Sequence, residues 1–174
     1  MAILPILEAP HPILAKKARK VTENEFGQDL QLFLNDMAET MYAAPGVGLA
    51  APQVGDSRRI IVADPGNNDD DTPRTLYKMV NPEITSKSAD YINYEESCLS
   101  VPEFYIVVKR YKTIQVQWQD GLGKKYTQWF SGFPAIVLQH EIDHLKGVTL
   151  LDRSSRFKRS RYISKRKKAK RLPQ

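Results

Sequence analysis

Residues 139–144 read Gln-His-Glu-Ile-Asp-His, and three of them can do chemistry together. His140 and His144 are about one helical turn apart, so on a helix they share a face and can share a metal ion. Glu141 is rotated from His140 by about 100°, near enough to reach water on that metal without binding it. Two imidazoles, a divalent cation and a neighbouring carboxylate make a site for metal-assisted hydrolysis of an amide or related bond. The chain has three histidines, and two are here. Such a string also arises by chance on solvated helices. Here it follows Phe133-Pro134-Ala135-Ile136-Val137-Leu138, which reads as a buried helix. Burying two histidines and a glutamate needs a compensating partner.

A catalytic site of this kind usually has three protein ligands and one open position. The single cysteine, Cys98, is the candidate third ligand. A lone cysteine is ordinarily a small buried hydrophobe. Cys98 instead sits in Glu95-Glu96-Ser97-Cys98-Leu99-Ser100, between expected strands and beside acids and serines. Its thiolate with two imidazoles makes a sound site for a borderline or transition metal.

The elements that must position these groups read as follows. Three prolines within residues 1–12 make the start extended, with a short helix expected at 13–20. Residues 22–44 read as a helix: Phe26, Leu30, Phe33, Leu34, Met37 and Met41 form one stripe, and Pro45-Gly46 ends it. Gly46-Val47-Gly48-Leu49-Ala50-Ala51-Pro52-Gln53 is a small-residue run that lets the backbone approach something closely. It lacks the Lys-Ser/Thr ending of a phosphate loop. Strands are expected at 59–63, 75–80, 84–88, 91–94, 104–108, 113–118 and 125–130, with a solvated acidic loop over 65–73. Several short strands before one central helix predict an α+β fold. In it, small antiparallel sheets pack around the helix carrying His140 and His144, with a C-terminal helix or tail.

The 174 residues suit one domain with a proper core, and 41% hydrophobic with 26% charged is ordinary for a globular protein. No apolar run approaches the roughly 20 residues that span a bilayer, and the N-terminus lacks the basic region of a secretory signal. One cysteine excludes an internal disulfide framework, so a reducing, cytoplasmic setting is the simplest inference. The net charge of +6 conceals an asymmetry. Of 26 Lys and Arg, 11 lie between Arg153 and Arg171, leaving 15 basic against 20 acidic residues, a net −5 elsewhere. We therefore expect a catalytic domain over 1–152 and a basic extension over 153–174. That segregation suits a polyanionic partner; the plainer reading is a solvated, frayed end. A monomer is expected.

Three motifs in order, Gly46-Val47-Gly48-Leu49-Ala50-Ala51-Pro52-Gln53, Glu96-Ser97-Cys98-Leu99-Ser100 and Gln139-His140-Glu141-Ile142-Asp143-His144, resemble those of the peptide deformylases. The resemblance spans about residues 4 to 150. It implies removal of the N-formyl group from formyl-methionine on nascent chains, releasing formate. It implies Cys98, His140 and His144 as metal ligands and Glu141 as general base, then acid. The Gln53 amide and Leu99 N–H are implied as donors to the developing oxyanion. It points to ferrous iron, with nickel, cobalt or zinc as substitutes, and to docking of the basic extension on ribosomal RNA near the tunnel exit. Ser97 departs from the family's usual glycine; activity should survive, with substrate and inhibitor fit affected. Phe133, Ile136 and Val137 share the His140 helix face and, with Val47, are candidates for a methionine pocket, although core packing explains each as well. Gly48 and Glu96 are further candidates for substrate binding. Arg110 is the candidate partner of Glu96, steadying the loop that carries Cys98.

Two other readings compete. A zincin-type metalloendopeptidase would share only the His-Glu-x-x-His string, and it would take its third ligand downstream, where Asp152 is the only acid and no His or Cys follows. A nucleic-acid-binding protein acting through the tail would leave the three motifs unexplained.

Overall fold

The computed structural model describes residues 2–66 and 74–171, so most of the expected acidic loop lies outside the described residues. A five-stranded antiparallel sheet, in the order β1-β2-β3-β6-β7, forms the frame. Its strands are β1 (Gly48–Ala50), β2 (Ile60–Ala63), β3 (Tyr77–Lys87), β6 (Thr113–Gln119) and β7 (Lys125–Ser131). A separate hairpin pairs β4 (Tyr91–Cys98) with β5 (Val101–Tyr111). Four helices follow the chain: α1 (Gln28–Ala43), α2 (Phe133–Leu145), α3 (Leu150–Arg153) and α4 (Arg156–Arg171).

Strand alternation explains how the frame holds two helices. Side chains of successive strand residues point to opposite faces. In β2, Ile60 and Val62 join Leu30, Leu34, Met37 and Met41 of α1 in one core. Ile61 and Ala63 join Ala135, Leu138, Ile142 and Leu145 of α2 in the other. The sheet is thus covered on both faces, which is why β2 is buried throughout. Helix α2 is apolar in its first half and is buried from Ala135 to Leu145, polar residues included. Any polar group on α2 must therefore find a partner inside the protein.

Local expectations gave way in three places. The helix expected over 22–44 is divided: Glu23–Glu25 is a 3-10 turn, and Gly27, at φ 145°, breaks the chain before α1. That backbone angle is costly for any residue but glycine. The helix expected at 13–20 shrinks to the 3-10 turn Pro12–Ala15, because Ala18 and Arg19 N–H donate instead to the carbonyls of Leu145 and Ser57. The strands expected at 75–80 and 84–88 are one, β3, with register shifts between Val80 and Glu83 and between Ile84 and Ser86. Proline has no N–H for a ladder, and Asn81 at φ 53° turns the chain past it. The C-terminal segment, expected as a helix or tail, is the helix α4. Tyr162 of α4 donates from its hydroxyl to the Pro102 carbonyl (2.9 Å) and packs edge-on against Phe104, and Arg166 pairs with Glu8 (2.8 Å). Among the described residues, no helix is long and apolar enough to cross a membrane.

Candidate metal centre and substrate cavity

Helix α2 carries His140 and His144 on the face turned toward the β4–β5 hairpin, whose β4 strand ends at Cys98. Cys98 is thus a strand terminus rather than a loop residue between strands. Its Sγ lies 3.4 Å from His144 Nε2, and the ligand atoms of Cys98, His140 and His144 lie within 4.8 Å of one another. His140 directs Nδ1 to Glu96 Oε1 at 2.9 Å, which leaves Nε2 facing the cluster. That carboxylate fixes ring orientation and tautomer, as partners of metal-bound histidines do. Glu141 Oε1 is 4.0 Å from His140 Nε2, and Glu141 Oε2 is buried without a hydrogen-bond partner among the described residues. A thiolate, two imidazoles and an unsatisfied carboxylate fit a borderline divalent metal with room for water beside it.

Electrostatics separate these groups. Burial pushes the Glu141 carboxyl up to about 7. Burial, with His140 and Arg110 nearby, holds His144 well below its ordinary value. Burial also opposes charge on His140, but Cys98 and Glu96 outweigh it and raise that group. Glu96 is lowered: burial opposes its charge, and hydrogen bonds from Arg110 and His140 win. A carboxyl poised near neutrality can both take and return a proton at physiological pH.

The expected Arg110–Glu96 pair is present, and it is buried and bidentate rather than a surface contact. Nε and Nη2 donate to Glu96 at 2.8 Å each, and Nη1 donates to Asp143 Oδ2 at 2.6 Å. Arg153 in turn donates to Asp143 Oδ1 at 2.8 Å. A chain of charges therefore runs from His140 through Glu96, Arg110 and Asp143 to Arg153. Asp143 and Arg153 were not singled out in the sequence; an acid inside an otherwise buried motif helix was the available signal. The carboxylate of Glu96, a candidate for substrate binding, is turned to Arg110 and His140. Gln139 clamps the same helix to β5, accepting from Tyr111 N–H (3.0 Å) and donating to Tyr111 O (2.8 Å).

The glycine-rich run lies against this helix. A Cβ built on Gly48 would stand 2.8 Å from Glu141 Oε1 and 2.9 Å from its Cγ, so the absent side chain makes room for the carboxylate. Gly48→Ala should displace Glu141 and lower kcat about 100-fold, the scale of an ångström misplacement, with stability little changed. A thermal melt beside steady-state kinetics checks this. Gln53, 1% exposed, accepts from Ala50 N–H (2.9 Å) and donates to Ser100 Oγ (3.0 Å), with Nε2 3.7 Å from Cys98 Sγ. The N-terminal segment ties both motifs from behind: Leu7 N–H donates to Gln53 O, and Ala9 N–H to Ser100 O.

These elements enclose a cavity of about 540 Å³. Val47, Phe133, Ile136 and Val137 line it, together with Gly48, Gln53, Ser97, Leu99, His140 and Glu141. Tyr94 and Tyr105, which sequence reasoning passed over, line it too, and Tyr94 packs on Phe133 at 5.5 Å. Their strand alternation could have flagged them.

The Polypeptide deformylase family model matches residues 3–160. The chain belongs to this family. The peptide deformylase of Desulfotalea psychrophila is 45% identical over 168 residues, covering 97% of each chain. The crystal structure of peptide deformylase from Ehrlichia chaffeensis in complex with actinonin aligns with a TM-score of 0.90 at 36% identity, over 99% of this chain and 100% of that one. The class I type b peptide deformylase from Acinetobacter baumannii, bound to Met-ala-ser, aligns with a TM-score of 0.81 at 37% identity, over 88% of this chain and 99% of that one. As a deformylase, the protein is a metal-dependent hydrolase that removes the N-formyl group from nascent peptides. The antiparallel sheets, the helix bearing His140 and His144 and the C-terminal helix are the deformylase fold.

Proposed function

We propose that Cys98, His140 and His144 hold one divalent metal, and that Glu141 is the acid–base group of deformylation. The observation that carries this is the convergence of the Cys98, His140 and His144 ligand atoms within 4.8 Å of one another, with Cys98, His140 and Glu141 lining one cavity. A metal bound there supplies Lewis acidity, polarising the formyl carbonyl and acidifying water. Glu141 takes the proton of the attacking water and returns it to the departing amine nitrogen. The Gln53 amide and the Leu99 N–H donate to the oxygen that gains charge. Gln53→Ala should lower kcat about 100- to 1000-fold with KM little changed; single-turnover kinetics on a short formyl peptide tests this. The methionine side chain occupies the cavity wall formed by Val47, Phe133, Ile136 and Val137, and the Gly48 backbone pairs with the extended peptide. The Met-ala-ser bound to the Acinetobacter baumannii relative supports that placement. Glu96 acts through His140 and Arg110, as a positioning residue, rather than by touching substrate.

The metal is ferrous iron in this reading, with nickel, cobalt or zinc able to replace it, since thiolate and imidazole donors suit all four. Both iron and thiolate can oxidise. Activity should therefore persist in anaerobic preparations, fall within hours in air, and become air-stable after nickel or zinc exchange. Metal analysis beside formate release decides it. A lone, ligating cysteine supports a reducing cytoplasm. A site assembled from one chain supports a monomer. Residues 1–152 are the catalytic domain and 153–174 the basic extension, which docks on ribosomal RNA near the tunnel exit. The 11 Lys and Arg between Arg153 and Arg171, with no acid among them, support that docking.

A further inference from the structure

A second groove lies behind α2, sharing no lining residue with the catalytic cavity. Ile142 and Lys146 of the α2 segment border it, and Ile142 is two residues from His140, so it faces away from the metal ligands. The groove measures about 1220 Å³. Six cations line it: Lys17, Arg19, Lys20, Arg59, Lys125 and Lys146; Glu83 is the one acid. The concentration is anomalous for this chain. Outside the tail, 15 basic residues are outnumbered by 20 acids, yet six of those 15 meet at this groove with one of the 20.

The cations arrive from separate places in the fold: the N-terminal segment, the start of β2, the start of β7 and the end of α2. Lys17, Lys20, Lys125 and Lys146 are exposed, and among the described residues they form no ion pair. Arg59 is half-buried, and its hydrogen bond among the described residues runs to the Pro82 carbonyl at 2.7 Å, leaving guanidinium donors toward the groove. Burial holds its pKa below the ordinary value, with Glu83 opposing. Of its apolar lining, Ile84 is half-buried, while Ile142 and Trp118 are buried in the core behind it. Arg19 is paired with Glu25 at 2.7 Å, whereas the four lysines are like charges gathered without counter-charges among the described residues, which costs stability unless an anion shares the site.

We infer that this groove binds the phosphodiester backbone of single-stranded RNA, as a contact surface separate from the tail. A compact anion would use one cation or two. A strand carrying a charge at every nucleotide uses cations spaced along an open groove. The inference does not depend on the tail's role, and the substrate of this family, the nascent chain, emerges from an RNA-rich particle.

The test is fluorescence anisotropy of a short labelled single-stranded RNA against the metal-loaded full chain, across a salt series. One variant carries Lys17→Gln, Lys20→Gln, Lys125→Gln and Lys146→Gln; another carries Lys165→Gln, Lys167→Gln and Lys168→Gln in the tail. Each phosphate contact on a single strand contributes about 0.7 to the slope of log K against log salt. The groove variant should bind about 10- to 100-fold more weakly at low salt, with the slope reduced by about 3. Formate release from a short formyl peptide should be unchanged, which shows the variant folded. The tail variant should retain the groove's share of the slope. Parent-like RNA affinity and slope in the groove variant would overturn the inference. So would an equal affinity for polyglutamate with the same loss, since the groove would then fit an acidic protein.

Discussion

Glu141→Gln should lower kcat on a short formyl peptide by about 100- to 10,000-fold, the range of a positioned acid–base group, while the protein keeps its metal. Glutamine preserves the shape that fills the space beside Gly48 and removes only the proton exchange. The same substitution should stabilise chelator-treated protein at alkaline pH. The Glu141 carboxyl lies at about 7 against an ordinary 4.5, because burial disfavours its charge. Between those values the folded state holds a proton that the unfolded state has lost, so stability falls as pH rises from 4.5 to about 7. At about 1.4 kcal/mol per pH unit, that loss amounts to about 3 kcal/mol. The variant escapes it. Denaturant melts of parent and variant should coincide near pH 4.5 and separate by about that amount at pH 8. Equal stability at both pH values would remove the argument that this carboxylate is held ready at a cost in stability.

Arg110→Met should destabilise the fold by about 3–5 kcal/mol, because it leaves buried Glu96 without its bidentate partner. Arg110 is 3% exposed, as is usual only for a paired charge. Methionine keeps much of the volume, so the loss reports charge rather than a cavity. Metal affinity should fall about 10- to 100-fold, since Glu96 no longer holds the His140 ring in place. Adding Glu96→Gln should recover part of the stability, by neutralising the stranded charge, without restoring the metal. Equilibrium unfolding and competition with a chelator measure the two effects separately. Arg110 also holds Glu96 below the ordinary carboxylate range. Stability from this pair is therefore present above about pH 4.5 and is lost as pH falls through the depressed value. The variant's acid limb should be correspondingly shallower.

Much of the site was legible because its chemistry is local. The four-residue spacing of His140 and His144 needs only a helix, and the apolar run before them dictates one. Cys98 stood out as a lone thiol among polar neighbours. The contact between Gly48 and Glu141 was not legible: it joins an edge strand to a helix more than 90 residues later in the chain, and its signal is a missing side chain. The cationic groove is hidden for the same reason, as a sum of residues scattered along the chain. Errors in the elements followed one physical cause. At 13–20 local propensity favoured a helix, but the Leu145 and Ser57 carbonyls claimed the N–H groups of Ala18 and Arg19. At Pro82 the sequence suggested a strand end, yet a bulge carried β3 through.

The most direct measurement is formate released per bound metal from formyl-Met-Ala-Ser by anaerobically purified protein, with Cys98→Ala beside it. The account predicts many turnovers per metal ion in the parent, and in the variant a joint loss of metal and formate release. A parent whose metal site is filled but which releases no formate would contradict it, and so would a variant that turns over without metal.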